Sequence, residues 1–180
     1  MDTMQYTHLY RSPLGTIPLA ADSEGLTGLW FEGQKYFAAT LDARHEETML
    51  PIFEQTRRWL DNYFGGNDPG PTPPLHLQGS PFRLAVWEIL RQIPFGKTIT
   101  YGEIAREIAR RQGSKTVPAQ AVGGAVGHNP VSIIVPCHRV VGSNGSLTGY
   151  AGGIERKVRL LALEKADMTG LFAPQKGTAL

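Results

Sequence analysis

Ser132-Ile-Ile-Val-Pro-Cys-His-Arg-Val-Val141 is the stretch from which the rest of the chain is read. It carries the only cysteine, Cys137, between a proline and a histidine. Ile133-Ile134-Val135 is an apolar, β-branched run of the kind that forms a buried strand. Beyond the motif, Val140 and Val141 lead into Gly142-Ser-Asn-Gly-Ser146, where Asn-Gly signals a turn. A thiol at the end of a short buried strand, with a proline turning the chain, suits a reactive group on the floor of a pocket. A free cysteine is also among the most buried residue types and often packs as a small hydrophobe. The adjacent His138 favours chemistry, although sequence neighbours are not thereby spatial partners.

Working outward, 180 residues suffice for one large or two small domains. A hydrophobic share of 41% and a charged share of 19% are those of a soluble globular protein. No apolar run approaches a bilayer span, and Met1-Asp-Thr-Met-Gln-Tyr lacks the basic-then-apolar pattern of an export signal. The expected location is therefore the cytoplasm, away from membranes. One cysteine excludes an internal disulfide and a multi-thiolate zinc site, and His8, His45, His76, His128 and His138 show no paired ligand spacing. No metal and no cofactor are expected. Charge is uneven: residues 1–80 carry five Lys and Arg against ten Asp and Glu, and residues 81–168 twelve against six. The half with the cysteine is basic, which suggests a polyanionic partner or an attraction between the two halves.

The periodicities predict an α+β protein: a small N-terminal α/β domain (1–79), a helical C-terminal domain (80–168) and a flexible tail (169–180). Leu9–Gly15, Thr16–Ala21 and Leu26–Phe31 read as a meander of two or three antiparallel strands. From Pro51 to Phe64, Ile52, Phe53, Thr56, Trp59, Leu60 and Tyr63 recur at helical spacing before Gly65-Gly66. Asn67 to Pro74 is a Pro/Gly-rich linker. Ser80 and Pro81 then cap and open a helix with an apolar face at Phe82, Val86, Ile89, Leu90 and Ile93. Thr100-Tyr-Gly-Glu103 is a capping box opening a second helix to about Arg111, and Pro118 opens a third, to Asn129. The last two resemble a helix-turn-helix. In the third helix Gly123, Gly124 and Gly127 each cost about 1 kcal/mol relative to Ala. Such small residues suit close approach to a DNA groove or tight packing on another helix. Arg106, Arg110 and Arg111 could serve phosphates or simply face solvent. Leu147–Gly153 is a flexible loop, and Ile154–Glu164 an amphipathic helix with Ile154, Val158, Leu161 and Leu163 among its apolar positions. Glu164 near its end sits badly with the helix dipole unless it has a partner.

Pro136-Cys137-His138-Arg139-Val140, preceded by Gly127-His128-Asn129-Pro130 and followed by Gly149-Tyr150-Ala151-Gly152-Gly153, resembles the O6-alkylguanine-DNA alkyltransferases. The likeness runs from about Ser80 to Glu164, and more weakly over residues 1–80. It implies a winged-helix-like C-terminal domain that binds duplex DNA through the minor groove and flips a damaged guanine into a pocket. The alkyl group would then pass irreversibly to the Cys137 thiolate in a single, stoichiometric event. The physical need is plain: a stacked base hides its O6, and a thiol attacks as thiolate, which a nearby base helps to form. The resemblance casts His138 as acting through a water, Glu164 as orienting it in the manner of a triad, and Asn129 as holding the turn by the active site. Tyr101 would crowd the phosphate during flipping. The carbonyls of Cys137 and Val140 would accept from the exocyclic amine, the N–H of Ala151 would donate to O6, and Tyr150 would line the pocket. Gln120, Ala121, Gly123 and Gly124 of the third helix, with Arg139 of the motif, complete the DNA-contacting set. The protein is expected to act as a monomer that associates with the nucleoid through its DNA. Whether O4-alkylthymine is a substrate stays open.

Two departures stand out. Many relatives carry an arginine that enters the stack in place of the flipped base; here the position is Gln120, without the guanidinium's charge and stacking plane. The zinc-ligating cysteines of some relatives are absent. Two other functions compete: a lesion-binding module without chemistry, which would not need the cysteine, and a cysteine hydrolase, for which no separate oxyanion-hole motif is visible.

Overall fold

The computed structural model describes residues 4–174. They divide into one unit, the chain up to Gln78 together with Pro130–Ile134, and a second, Gly79–Asn129 and Val135 onward. In the first unit β1 (Gln5–Ser12), β2 (Gly15–Ala21) and β3 (Leu26–Leu29) form an antiparallel meander. A fourth strand that the sequence does not announce, β4 (His45–Glu47), adds to β1 in parallel, giving the order β3-β2-β1-β4. All three of its residues are exposed, so no apolar alternation marks it.

Helix α1 (Pro51–Phe64) has the predicted bounds and buries Phe53, Thr56, Trp59, Leu60 and Tyr63. Phe53 stacks on His8, and Tyr10 donates to Asp61 at 2.7 Å. The proline-rich linker is tied down at its end: Leu26 N–H donates to Pro74 O and His76 N–H to Leu26 O, at 2.9 and 2.8 Å. The strand expected at Ile133–Val135 does not form. Val131 makes a single bridge to Leu29, and residues 132–134 turn, with Ile133 at φ +70°. These side chains are buried, as their apolar character requires. Ser132 N–H still donates to Leu29 O at 3.0 Å, but beyond it the backbone bonds locally, Ile134 N–H to Ser132 O at 2.8 Å, and no ladder continues.

In the second unit Ser80 Oγ accepts from Arg83 N–H, and α2 (Pro81–Arg91) buries Val86, Trp87, Ile89 and Leu90. β5 (Ile99–Thr100) runs directly into α3 (Tyr101–Gln112), whose start is the predicted capping box of Thr100 and Glu103. Helix α4 (Ala119–Gly127) is capped by Pro118, which lies one residue outside it, and it stops short of Asn129. Trp87 Nε1 donates to Ala125 O at 2.7 Å, so α2 and α4 are bonded as well as packed. After α4 the chain re-enters this unit at Val135 and makes a 3-10 helix, Cys137–Arg139. β6 (Val140–Val141) then pairs in parallel with β5, and α5 (Ile154–Leu163) closes the unit.

Between them, Leu147 and Tyr150 are buried, so the loop read as flexible is anchored. The tail expected to be free is also held: Leu147 N–H donates to Phe172 O and Phe172 N–H to Gly145 O, at 2.9 and 3.0 Å. Gly145 explains itself here, at φ +91° with a Cβ that would lie 2.0 Å from Gly170 O. Its remainder, from Gln175, lies outside the described residues. The fold is thus α+β, a small sheet domain followed by a helical domain containing the helix-turn-helix pair α3–α4. Among the described residues no helix is long and apolar enough to cross a membrane.

Candidate active site

Pro136 ends the turn and sets Cys137 at the head of the 3-10 helix, 3% exposed. Asn129, just past α4, reaches it: one amide nitrogen, Nδ2, donates to Val135 O at 2.7 Å and to Cys137 Sγ at 3.1 Å. A single side chain therefore holds both the turn and the sulfur. Burial pushes the thiol pKa up, while the Asn129 bond, the Lys157 ammonium and the N–H groups of Cys137 and His138 draw it back.

His138 follows in the same turn with no exposed surface. Its Nε2 lies 2.5 Å from Glu164 Oε2, and its ring meets Tyr150 edge-on, centroids 6.4 Å apart. Glu164 caps α5 at its C-terminus, the position where a carboxylate needs partners. Its partners include His138, Arg139 Nε at 2.8 Å from Oε1, and Gly96 N–H at 2.9 Å from the same oxygen. Burial alone would raise its pKa, but the hydrogen bond from His138 and the bond and charge of Arg139 outweigh that and hold the carboxyl below its ordinary range. For His138, burial pushes the pKa down against the pull of Glu164. An ionised Glu164 beside a neutral imidazole fixes the Nε2–H tautomer, which leaves Nδ1 as the basic nitrogen.

Tyr101 opens α3 half-buried and donates to Thr148 O at 3.1 Å. Burial and the neighbouring Cys137 both raise its pKa, keeping it a phenol. Tyr101, Gln120, Ala119, Gly142, Ser146 and Thr148 are among the residues around a groove of about 670 Å³. Gln120 and Ala121 are exposed on the first turn of α4, Gly124 is half-buried and Gly123 is buried. Val140 is buried beside the thiol's turn, and Ala151 is half-buried in the turn after Tyr150.

Arg139 departs from expectation. Placed by the sequence with the DNA-contacting residues, it is only 8% exposed and directs Nε to Glu164 and Nη1 to Ile93 O at 2.7 Å. Burial and these two bonds turn the guanidinium toward Glu164 and the end of α2 rather than out to solvent. Arg110 and Arg111 are also engaged, both with Glu107.

The sequence reading missed Lys157, which has no exposed surface. A signal was present: Lys157 stands three residues after Ile154 and four before Leu161, inside the apolar stripe of α5. Gly96 was also missed; its φ is +78° and an added Cβ would lie 3.0 Å from Glu164 O, so the position calls for glycine. Among the described residues no group of three or more His, Cys, Asp or Glu is arranged to hold a metal ion.

Two family models match the chain. One, the DNA binding domain of 6-O-methylguanine DNA methyltransferase, covers residues 81–166; the other, that family's ribonuclease-like domain, covers residues 5–75. The methylated-DNA–protein-cysteine methyltransferase of Haemophilus influenzae is 42% identical over 166 residues, 92% of this chain and 88% of that protein. The Methanosarcina acetivorans protein of the same name is 42% identical over 159 residues, 88% of this chain and 97% of its own. The crystal structure of Mycobacterium tuberculosis OGT in complex with DNA matches with a TM-score of 0.76 at 40% identity, covering 94% of this chain and 99% of that one.

Proposed function

This chain belongs to the 6-O-methylguanine DNA methyltransferase family, and from that premise we propose how its residues divide the work. The activity is DNA repair by transfer of an alkyl group to a cysteine of the protein itself. The acceptor is Cys137, the chain's one cysteine. The observation that carries this reading is the arrangement around it: a buried thiol bonded to Asn129, followed directly by a His138–Glu164 pair.

The substrate is duplex DNA carrying O6-alkylguanine, approached from the minor groove by α3 and α4, with the base turned out of the stack. Tyr101 and Gln120, on one groove, act at the flipped nucleotide and the gap it leaves. His138 Nδ1 takes the thiol proton, through a water, while Glu164 holds the ring by Nε2–H and offsets the imidazolium charge. The sulfur then attacks the alkyl carbon. A C–S bond forms, the C–O6 bond breaks, and the electron pair leaves on guanine, which is reprotonated. A thioether has no proton to lose and no route back, so each molecule reacts once. Cys137, Asn129, His138 and Glu164 all lie in one unit of the fold, and the reading takes a monomer as the acting species.

Single-turnover kinetics on a duplex containing O6-methylguanine test the relay. Replacing His138 with Gln should slow transfer by about 10²–10⁴-fold, the usual worth of a positioned base, while lesion binding persists. Transfer at the wild-type rate would remove His138 from the mechanism.

A further inference from the structure

Lys157 is the charged group of this site that the relay does not use. Its side chain is buried in α5, and Nζ donates to Val140 O at 2.5 Å and to Thr148 O at 3.3 Å. Among the described residues no Asp or Glu forms an ion pair with it. Two carbonyls accept from it but do not cancel its charge, and an unbalanced buried ammonium is costly to keep. A fold retains such a group where the charge has a use.

The use is visible in what surrounds it. Thr148 O also receives the Tyr101 hydroxyl, so one carbonyl joins α3 to α5. Val140 O belongs to the residue just after the 3-10 helix that carries Cys137 and His138. Burial lowers the lysine pKa to about 8, and among the described residues the ionisable group that pulls it back up is Cys137. In return Lys157 lowers the pKa of the thiol and of His138. Arg139 and Glu164, the other charged groups here, are paired with each other.

We propose that Lys157 is the counter-ion of the Cys137 thiolate and the brace that fixes the Val140 and Thr148 carbonyls: a positioning residue for alkyl transfer. Its ammonium stabilises the sulfur anion after His138 has taken the proton, and disfavours a charged His138 beforehand, so the imidazole is ready to accept. Lys157 keeps its own proton throughout. Alkylation turns the anion into a neutral thioether, and the ammonium then stands in the interior without a counter-charge. The proposal rests on Cys137 being the alkyl acceptor, but its test does not require DNA.

The test is the pH profile of Cys137 alkylation by iodoacetamide in wild type and Lys157→Met. The variant should raise the apparent thiol pKa by about one unit or more, a roughly tenfold loss of reactivity near neutral pH. A folded variant with an unchanged profile would show that Lys157 only packs, and would overturn the proposal. If Lys157→Met does not fold, the wild-type protein still decides. The ¹³C resonance of the Lys157 ε-carbon should titrate at lower pH after Cys137 is alkylated than before, and equal midpoints would refute the counter-ion role. A wild-type protein that reacts with iodoacetamide and takes no methyl from O6-methylguanine DNA would instead refute the proposed substrate.

Discussion

Glu164 ends a helix with a negative charge, buried, against the dipole, and its bonds to His138, Arg139 and Gly96 turn that liability into a fixed point. The balance has a pH signature. Its carboxyl is held below the ordinary 4.5, so the stability it contributes is present above that value and is lost as pH falls below it. His138 is held below the ordinary 6.5 by burial, so on acidification the unfolded chain binds its proton first. Both effects have the same sign. Melting temperature measured from pH 8 down to 4 should therefore begin to fall near 6.5 and fall faster below 4.5, and His138→Gln should remove the first phase. A melting temperature that rises between pH 7 and 5 would contradict this account of the pair.

At the scale of elements, α4 shows where fold and function pull apart. A Cβ added at Gly124 would meet nothing within 4 Å. Packing within this chain therefore gives no reason for glycine there. Gly124→Ala should stabilise the free protein by about 1 kcal/mol through helix propensity. It should weaken DNA binding, because the open space is where the duplex backbone would approach. Thermal melting and a binding titration check both halves, and unchanged affinity would show that this face stays clear of the DNA. The same scale explains which elements were legible in advance. Caps are local, so Ser80, Pro81 and the Thr100–Glu103 box could be read directly, and the stripe of α1 has a clear period. Ile133–Val135 misled because apolar character reports burial, not hydrogen-bond pattern; a turn at φ +70° buries isoleucine as well as a strand does. Lys157 was missed, and Arg139 was assigned to the DNA, for the converse reason, since charge normally reports exposure and here the partners come from distant segments. Within the candidate site, the Cys137, His138 and Asn129 cluster lies close in sequence and was readable, whereas the contacts of Glu164 with Gly96 and Arg139 needed the fold.

Over the whole molecule, charge is divided between an acidic N-terminal and a basic C-terminal part. Gln120 is exposed on α4 beside the groove that Tyr101 also lines, where the proposed function puts the gap left by the flipped base. A neutral amide there releases no counter-ion. Gln120→Arg should tighten binding to lesion DNA and steepen its salt dependence, by about 0.9 in the log–log slope if the new charge meets one phosphate. Affinity measured across a salt series checks this; parallel lines at equal affinity would mean that position 120 does not reach the duplex.

The central claim is that one chain accepts one alkyl group, on Cys137. Its most direct test is the intact mass of the protein after incubation with excess duplex carrying O6-methylguanine, beside a Cys137→Ser control. The account predicts a single methyl adduct that maps to Cys137, saturates at one per molecule and is absent from the control. Continued repair beyond one event per chain, or a control that is methylated equally, would contradict it.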